Sequence, residues 1–112
     1  YVVISMSIRL FYGSDYMLIV AAYDIAITSP GGERRLNRVA KICSRYGQRV
    51  QNSVFECNID TLSFMKMRSE LDKVVDLDKD SLRFYNLGKH YKSKIIHEGT
   101  KKVQDVNNPL IF

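Results

Sequence analysis

The sequence predicts an α+β domain of two layers, with two amphipathic helices packed on one face of an antiparallel sheet. The chain has 112 residues, which is enough for one hydrophobic core and too few for two. Apolar runs of strand length alternate with stretches whose apolar residues recur every three or four positions. Because strands and helices interleave, we expect them to share one core between a sheet layer and a helix layer.

The first strand and the first helix follow from the segment that begins at Met17. An apolar run from Met17 to Asp24 ends at a carboxylate and is typical of a β-strand. The sequence Pro30-Gly31-Gly32 predicts a loop. A helix is predicted from about Glu33 to Tyr46, and Gly47 is expected to end it. Its buried face is indicated by Leu36, Val39, Ala40 and Cys43.

A second strand and a second helix come next. The segment from Arg49 to Cys57 is rich in Val and Phe, and the polar residues 51–53 interrupt its alternation, which indicates a bulge. Asp60 is a predicted N-cap for a helix that runs to about Val75. The apolar stripe of that helix consists of Phe64, Met67, Leu71 and Val74.

Two further strands complete the pattern, one at Ser81 to Leu87 and a short one at Ile95 to His97. Four strands and two helices favour a ferredoxin-like βαββαβ sandwich. The sheet face without helices then needs a cover, which predicts a symmetric homodimer. The ending Asn107 to Phe112 predicts a short edge strand that pairs within the chain or with a neighbour, and Pro109 limits it to a strand start or an edge.

The domain is predicted to span residues 17–112. Residues 1–16 are treated as an N-terminal extension, upstream or artificially added, because Met17 stands directly before the first strong strand. No chemistry is assigned to that extension.

Composition narrows the classes of function. Lys and Arg number 17 against 12 Asp and Glu, so the net charge of +5 favours a polyanionic partner. The only cysteines, Cys43 and Cys57, have no Cys-x-x-Cys spacing, so neither a disulfide framework nor a zinc site is indicated. We therefore expect the protein to work in a reducing cytoplasm. No uncharged apolar stretch reaches the roughly 20 residues of a membrane span, since charged residues interrupt the N-terminal region at Arg9, Asp15 and Asp24.

Cations recur along the predicted first helix, where a solvated surface is the ordinary explanation. Their number in a basic chain favours phosphate binding, which would position a nucleic acid without reading its sequence. The candidate nucleic-acid-binding residues are Arg34, Arg35, Arg38, Lys41, Arg45 and, on the next strand, Arg49.

Asp24 is the candidate site acid. An aspartate at the end of a strand either caps the following turn or holds a metal ion. The residues alone leave both readings open.

Several segments carry a family resemblance over most of residues 17–112. The most specific is the string from Tyr46 to Cys57, YGQRVQNSVFEC, joined by Tyr23-Asp24-Ile25 and by RVAKIC from Arg38 to Cys43. The chain resembles CRISPR-associated protein two. The segment from Asp80 to Gly88 and the ending Pro109-Leu110-Ile111 are similar to the subtype I-C branch.

The resemblance implies a homodimer that works with the CRISPR integrase, CRISPR-associated protein one, to insert DNA fragments as spacers. It also implies a metal-dependent endonuclease in which Asp24 is the metal-binding and catalytic acid, contributed once by each chain. Ser53 and Phe55 match accessory positions of the catalytic site, as do Arg38 and Arg49. The expected cofactor is Mg²⁺, with Mn²⁺ as an alternative, because Mg²⁺ is commonly bound by one or two carboxylates, several waters and substrate phosphates.

Three functions remain open from the sequence. The dimer is a nuclease acting on DNA or RNA, a non-catalytic scaffold that binds duplex DNA for the integrase, or a stand-alone ribonuclease of the toxin type. A fold alone does not decide among them.

Overall fold

The computed structural model describes residues 16–99. The elements follow the order βαββαβ, and the sheet has the strand order β2-β3-β1-β4 with every pair antiparallel. The predicted fold class is therefore confirmed, while residues 1–15 and the predicted strand at Asn107 to Phe112 lie outside the described part. The elements are β1 (Met17–Asp24), α1 (Gly32–Tyr46), β2 (Gln48–Gln51), β3 (Val54–Ile59), α2 (Thr61–Asp72), β4 (Ser81–Asn86) and a short 3₁₀ helix (Lys92–Lys94).

The prediction of one strand from Arg49 to Cys57 was wrong. The segment is a hairpin of β2 and β3, and Asn52 and Ser53 form its turn. Polar residues that were read as a bulge serve as turn residues because their short side chains suit a chain reversal. An irregularity of register does occur beside the turn, between Arg49 and Gln51.

The predicted fourth strand at Ile95 to His97 was also wrong, since these residues are irregular and Ile96 is 87% exposed. The central strand β1 is already paired with β3 on one side and β4 on the other. Residues 95–97 therefore cannot pair with β1, because both of its sides are occupied. The β2–β3 hairpin supplies the fourth strand of the sheet instead.

One face of the sheet forms the core with both helices. Alternate residues of β1 point to that side, where Ile19 and Ala21 pair with Cys57 and Phe55 of β3. Tyr23 continues the same row toward the end of the strand. From the helices, this core receives Val39, Ile42, Cys43, Met67 and Leu71, all of them buried.

The helix ends follow their capping residues. Asp60 accepts a hydrogen bond from the Ser63 N–H at 2.8 Å, so the predicted N-cap of α2 is confirmed. Gly47 follows the last residue of α1 as expected, and its N–H bonds to the Cys43 carbonyl at 3.0 Å. No helix among residues 16–99 is long and apolar enough to cross a membrane.

The opposite face of the sheet is only partly covered within the described part of the chain. Leu18 is fully buried there although it does not belong to the helix-side core. Tyr85 on β4 remains 47% exposed. Glu56 of β3 is half-buried, and the charge of nearby His97 acts on its carboxyl group.

Candidate active site and basic helix

Asp24 is the last residue of β1 and is exposed. Strand alternation directs it to the sheet face opposite the helices, the same face as Val20 and Ala22. In the register of the sheet it pairs with Ser81, the first residue of β4. The end of β1 thus presents one carboxylate to solvent, at the end of the sheet where β4 begins.

Ser53 lies at the same end of the sheet, in the turn between β2 and β3. Its carbonyl accepts the Tyr23 N–H at 3.1 Å, which attaches the hairpin turn to the residue directly before Asp24. The Tyr23 hydroxyl donates to the Asn52 carbonyl at 3.3 Å. The structure therefore brings Ser53 and Asp24 to one end of the sheet through backbone contacts.

Phe55 does not share a face with Asp24. It is 1% exposed and lies in the helix-side core, where its ring stacks on Tyr23 with the centroids 6.3 Å apart. Arg49 lies over the same ring, with its guanidinium carbon 5.1 Å from the centroid. Burial raises the pKa of the Tyr23 hydroxyl, and Arg49 partly opposes that shift. Phe55 is thus placed as a packing residue beneath the site.

The donor set of one chain is small for a metal ion. Among residues 16–99, no group of three or more His, Cys, Asp or Glu side chains comes together as a metal site. Burial raises the pKa of Cys43 to about 11 and that of Cys57 to about 12, so both thiols stay protonated at neutral pH. A single Asp24 fits a Mg²⁺ ion that keeps most of its waters, because Mg²⁺ is commonly bound by one or two carboxylates together with waters and substrate phosphates.

The basic face of α1 begins near the end of the sheet where Asp24 lies and extends away from it. Arg34, Arg38 and Lys41 are exposed, and none of them forms an ion pair with another described residue. Together with Arg45 they extend over roughly 16 Å of helix axis, at 1.5 Å per residue. A helix surface of this kind suits the contact of a nucleic-acid backbone.

Arg45 is less free. It forms an ion pair with Glu70 of α2, and the Tyr46 hydroxyl donates a hydrogen bond to the same carboxylate. These contacts hold the pKa of Glu70 below its ordinary value, the bond from Tyr46 contributing most. Between α1 and α2 lies a groove lined by Arg38, Lys41, Ile42, Arg45, Glu70, Lys73 and Val74.

Arg35 differs from the other cations of α1. Its side chain is only 14% exposed and forms an ion pair with Asp80, whose side chain is completely buried. The bond from Arg35 and those from two backbone N–H groups hold the pKa of Asp80 at about 2. The phosphate contact expected of Arg35 stays a prediction, and the ion pair with Asp80 competes with it.

Sequence reasoning assigned no role to Asp80, which ends a charged segment from Asp76 to Asp80. Three acids, one leucine and one lysine share the five positions 76–80. No periodic pattern distinguishes the one that is buried. Its position directly before a strand is the single local signal that could have drawn attention to it.

The chain is similar over most of its length to proteins of a known family. The family model described as "CRISPR associated protein Cas2" matches residues 17–95. The "CRISPR-associated endoribonuclease Cas2" of Nitratidesulfovibrio vulgaris is 48% identical over 101 residues, which cover 90% of this chain and 99% of the relative. The "CRISPR-associated endonuclease Cas2" of Halalkalibacterium halodurans is 50% identical over 96 residues, covering 86% of this chain and 100% of the relative.

A solved structure shows the same likeness. The crystal structure of Streptococcus pyogenes Cas2 at pH 6.5 superposes with a TM-score of 0.67 at 42% sequence identity, covering 74% of this chain and 100% of that one. The family model extends over every strand and both helices of the described fold, Asp24 included. The chain therefore belongs to the Cas2 family of CRISPR-associated proteins.

Proposed function

We propose that the protein is a CRISPR adaptation factor of subtype I-C that acts in the prokaryotic cytoplasm as a metal-dependent endonuclease. Two copies form a homodimer and contribute one Asp24 each to the hydrolysis of a phosphodiester bond. The observation that carries this proposal is the exposed Asp24 at the end of β1, beside the Ser53 turn. Relatives with about half of their residues identical are named endonucleases or endoribonucleases, which supports it.

The partly covered sheet face supports the dimer. Asp24 and the exposed Tyr85 lie on this face. A two-fold symmetric contact would bury the same patch on both chains and bring two copies of one acid toward the axis. The small set of metal-binding side chains among residues 16–99 agrees with a second carboxylate from a partner chain.

The candidate site residues would have separate roles in phosphodiester cleavage. Asp24 from each chain would hold a hydrated Mg²⁺ or Mn²⁺ ion, which supplies an activated water and neutralises charge on the phosphate. Arg34, Arg38 and Lys41 would bind the backbone of the nucleic acid. Ser53 lies where its hydroxyl group would orient water near Asp24. Phe55 would support the end of β1 by packing in the core beneath it.

The integrase, CRISPR-associated protein one, is the expected protein partner, and duplex DNA the expected substrate, with RNA as the alternative. The names of the relatives differ on this point, since one is called an endonuclease and another an endoribonuclease. The substrate is therefore decided by direct comparison of the two nucleic acids.

The test is cleavage of end-labelled duplex DNA and RNA with Mg²⁺ or Mn²⁺. Asp24→Asn keeps the size of the side chain and removes its charge, so it is expected to abolish cleavage while the dimer persists in size-exclusion chromatography. Asp72→Asn, at an exposed position on the last turn of α2, is the matched control and should cleave normally. Full activity of Asp24→Asn would overturn the proposal.

A second candidate is a scaffold that binds duplex DNA for the integrase without cutting it. The specific observation in its favour is that residues 16–99 bring together no group of three or more metal-binding side chains, while the first helix carries a basic face. Tight duplex binding by the wild type, with no cleavage of either nucleic acid under any metal condition, would favour this candidate over the nuclease.

A further inference from the structure

Arg35 and Asp80 join two loops on either side of the candidate site. The Arg35 Nε donates to Asp80 Oδ2 at 2.7 Å, and Nη2 donates to Oδ1 at 3.2 Å. This two-pronged geometry is the strongest arrangement between an arginine and a carboxylate. Both side chains are withdrawn from solvent, 14% exposed for Arg35 and 0% for Asp80.

The Asp80 carboxylate also binds backbone. Its Oδ1 accepts the N–H of Ala26 at 3.0 Å, and its Oδ2 accepts the N–H of Asp76 at 2.9 Å. Ala26 is the second residue after Asp24. One buried carboxylate thus attaches the chain leaving β1 to the loop that enters β4.

Arg35 holds the rest of the same loop. Its Nη2 donates to Ser29 Oγ at 2.8 Å, and its Nη1 donates to the Pro30 carbonyl at 2.9 Å. Ser29 Oγ in turn donates to the Ala26 carbonyl at 2.6 Å. The loop that follows Asp24 is therefore bonded at its first, middle and last parts to one ion pair.

Packing at the start of α1 confines this loop further. A Cβ atom on Gly32 would lie 2.2 Å from the Ala26 carbonyl oxygen and 2.6 Å from the Ile27 Cα. Only a residue without a side chain allows the helix to begin this close to the loop. The loop cannot move toward α1.

On its other side, Asp24 is held by neighbouring strands. Asp80 directly precedes Ser81, the residue that pairs with Asp24 across β1 and β4. The N–H of Tyr23 is bonded to the Ser53 carbonyl. The backbone of Asp24 is fixed before, beside and after the residue, although its side chain is exposed.

We propose that Arg35 and Asp80 are positioning residues that set the direction in which Asp24 is presented. The inference rests on the proposed function, in which two Asp24 carboxylates from two chains approach one metal ion. Such a site needs its ligands held within roughly 0.5 Å of the productive geometry. An exposed strand end lacks that precision, and the ion pair supplies it by immobilising the chain on both sides of Asp24.

Two substitutions test the proposal. Asp80→Asn keeps an oxygen that can accept the Ala26 N–H but removes the charge that pairs with Arg35. Arg35→Gln leaves the Asp80 contacts to backbone in place and removes the bonds to Ser29 and Pro30. The matched control is Asp60→Asn, the same change of acid to amide at the end of the sheet where β3 leads into α2, where Asn still serves as an N-cap.

Each variant is measured in three ways. Steady-state cleavage gives kcat and KM for the nucleic acid. Nuclear magnetic resonance relaxation of the backbone ¹⁵N nuclei gives the order of residues 24–29. Line broadening of the Asp24 amide by Mn²⁺ reports metal binding independently of turnover.

For Asp80→Asn and Arg35→Gln we expect kcat to fall about tenfold or more, the range found when residues that orient metal ligands are removed. The KM should change by less than about twofold, because a positioning residue does not bind substrate. Backbone order should fall at residues 24–29 and nowhere else, and broadening by Mn²⁺ should require more metal. Asp60→Asn should behave as the wild type in all three measurements.

Unchanged kcat and unchanged order in both variants would overturn the proposal. A rise in KM with constant kcat for Arg35→Gln would also overturn it, because that result identifies Arg35 as a phosphate contact. If the wild type neither cleaves nor binds Mn²⁺, the proposed function fails by itself. The order of residues 24–29 then decides whether Arg35 and Asp80 hold the Asp24 strand end.

Discussion

The guanidinium carbon of Arg49 lies 5.1 Å from the centroid of the Phe55 ring, and that ring is 1% exposed. Arg49 belongs to an edge strand, so its charge reaches the surface while its position is set by a core residue. The pairing links the core beneath the candidate site to a cation that the sequence marked for nucleic-acid binding.

Replacing Phe55 by Ala is expected to destabilise the fold rather than to remove a catalytic group. A fully buried Phe typically loses about 3–5 kcal/mol on truncation to Ala, whereas Phe55→Leu keeps most of the volume and should cost less. Urea denaturation at a fixed protein concentration measures both variants, since association affects apparent stability. A Phe55→Ala protein of normal stability that fails to cleave would instead assign the ring a direct role.

Acid stability should depend on Asp80. Its pKa in the folded protein is about 2, below the ordinary value of 3.8, so the folded state favours the ionised form. The stabilisation is complete above about pH 4 and is lost as the pH falls toward 2. Asp80→Asn should therefore be less stable than the wild type at pH 7, and the two curves of unfolding free energy against pH should converge near pH 2.

The control for this experiment is Asp72→Asn, the same change of acid to amide at an exposed position on the last turn of α2. Asp60 and Glu70 also have lowered pKa values, so the wild type loses further stability in acid for reasons unrelated to Asp80. A difference between wild type and Asp80→Asn that stays constant down to pH 2 would show that the charge of Asp80 is irrelevant.

Glu56 is expected to give the stability of the fold a pH dependence opposite to that of Asp80. Burial raises its pKa above the ordinary value of 4.5, and His97 only partly offsets this. Its stabilising effect is present at low pH and is lost as the pH rises through the window just above 4.5. Glu56→Gln should therefore raise the thermal midpoint more at pH 7 than at pH 4. Gln48 pairs with Glu56 in the sheet, so Gln48→Ala is a control for the strand contact. A lower midpoint for Glu56→Gln at pH 7 would contradict the role of burial.

The basic face of α1 predicts a measurable salt effect on nucleic-acid binding. Removing the three free cations together, as Arg34→Gln, Arg38→Gln and Lys41→Gln, should weaken binding and reduce the slope of log affinity against log salt by about 0.9 per lost phosphate contact on duplex DNA. Fluorescence anisotropy from 50 to 200 mM salt measures that slope.

The matched control keeps every charge, as Arg34→Lys, Arg38→Lys and Lys41→Arg. Counterion release depends on charge rather than on the kind of cation, so the slope should equal that of the wild type. If the neutral variant binds with an unchanged slope, the nucleic acid contacts another surface of the protein.

Local patterns foresaw most of the fold. The apolar run at Met17 to Asp24 and the apolar stripe of α1 depend on neighbours in sequence, and both were confirmed. The hairpin at residues 48–59 was read as one strand because a polar triplet within a strand pattern fits a bulge as well as a turn. The choice between them depends on which strand lies alongside, and that is a property of the sheet.

By itself, the sequence determined the fold class, the position of Asp24 at a strand end and the basic face of α1, because each follows from spacing along one element. Tertiary structure decided which cations are free and which are paired. Arg35 and Arg38 lie on the same helix and are alike in sequence, yet one is bound to the buried Asp80, 45 residues away, and the other faces solvent. That difference arises because the energy of a charge depends on burial and partners in space, and distant segments supply both.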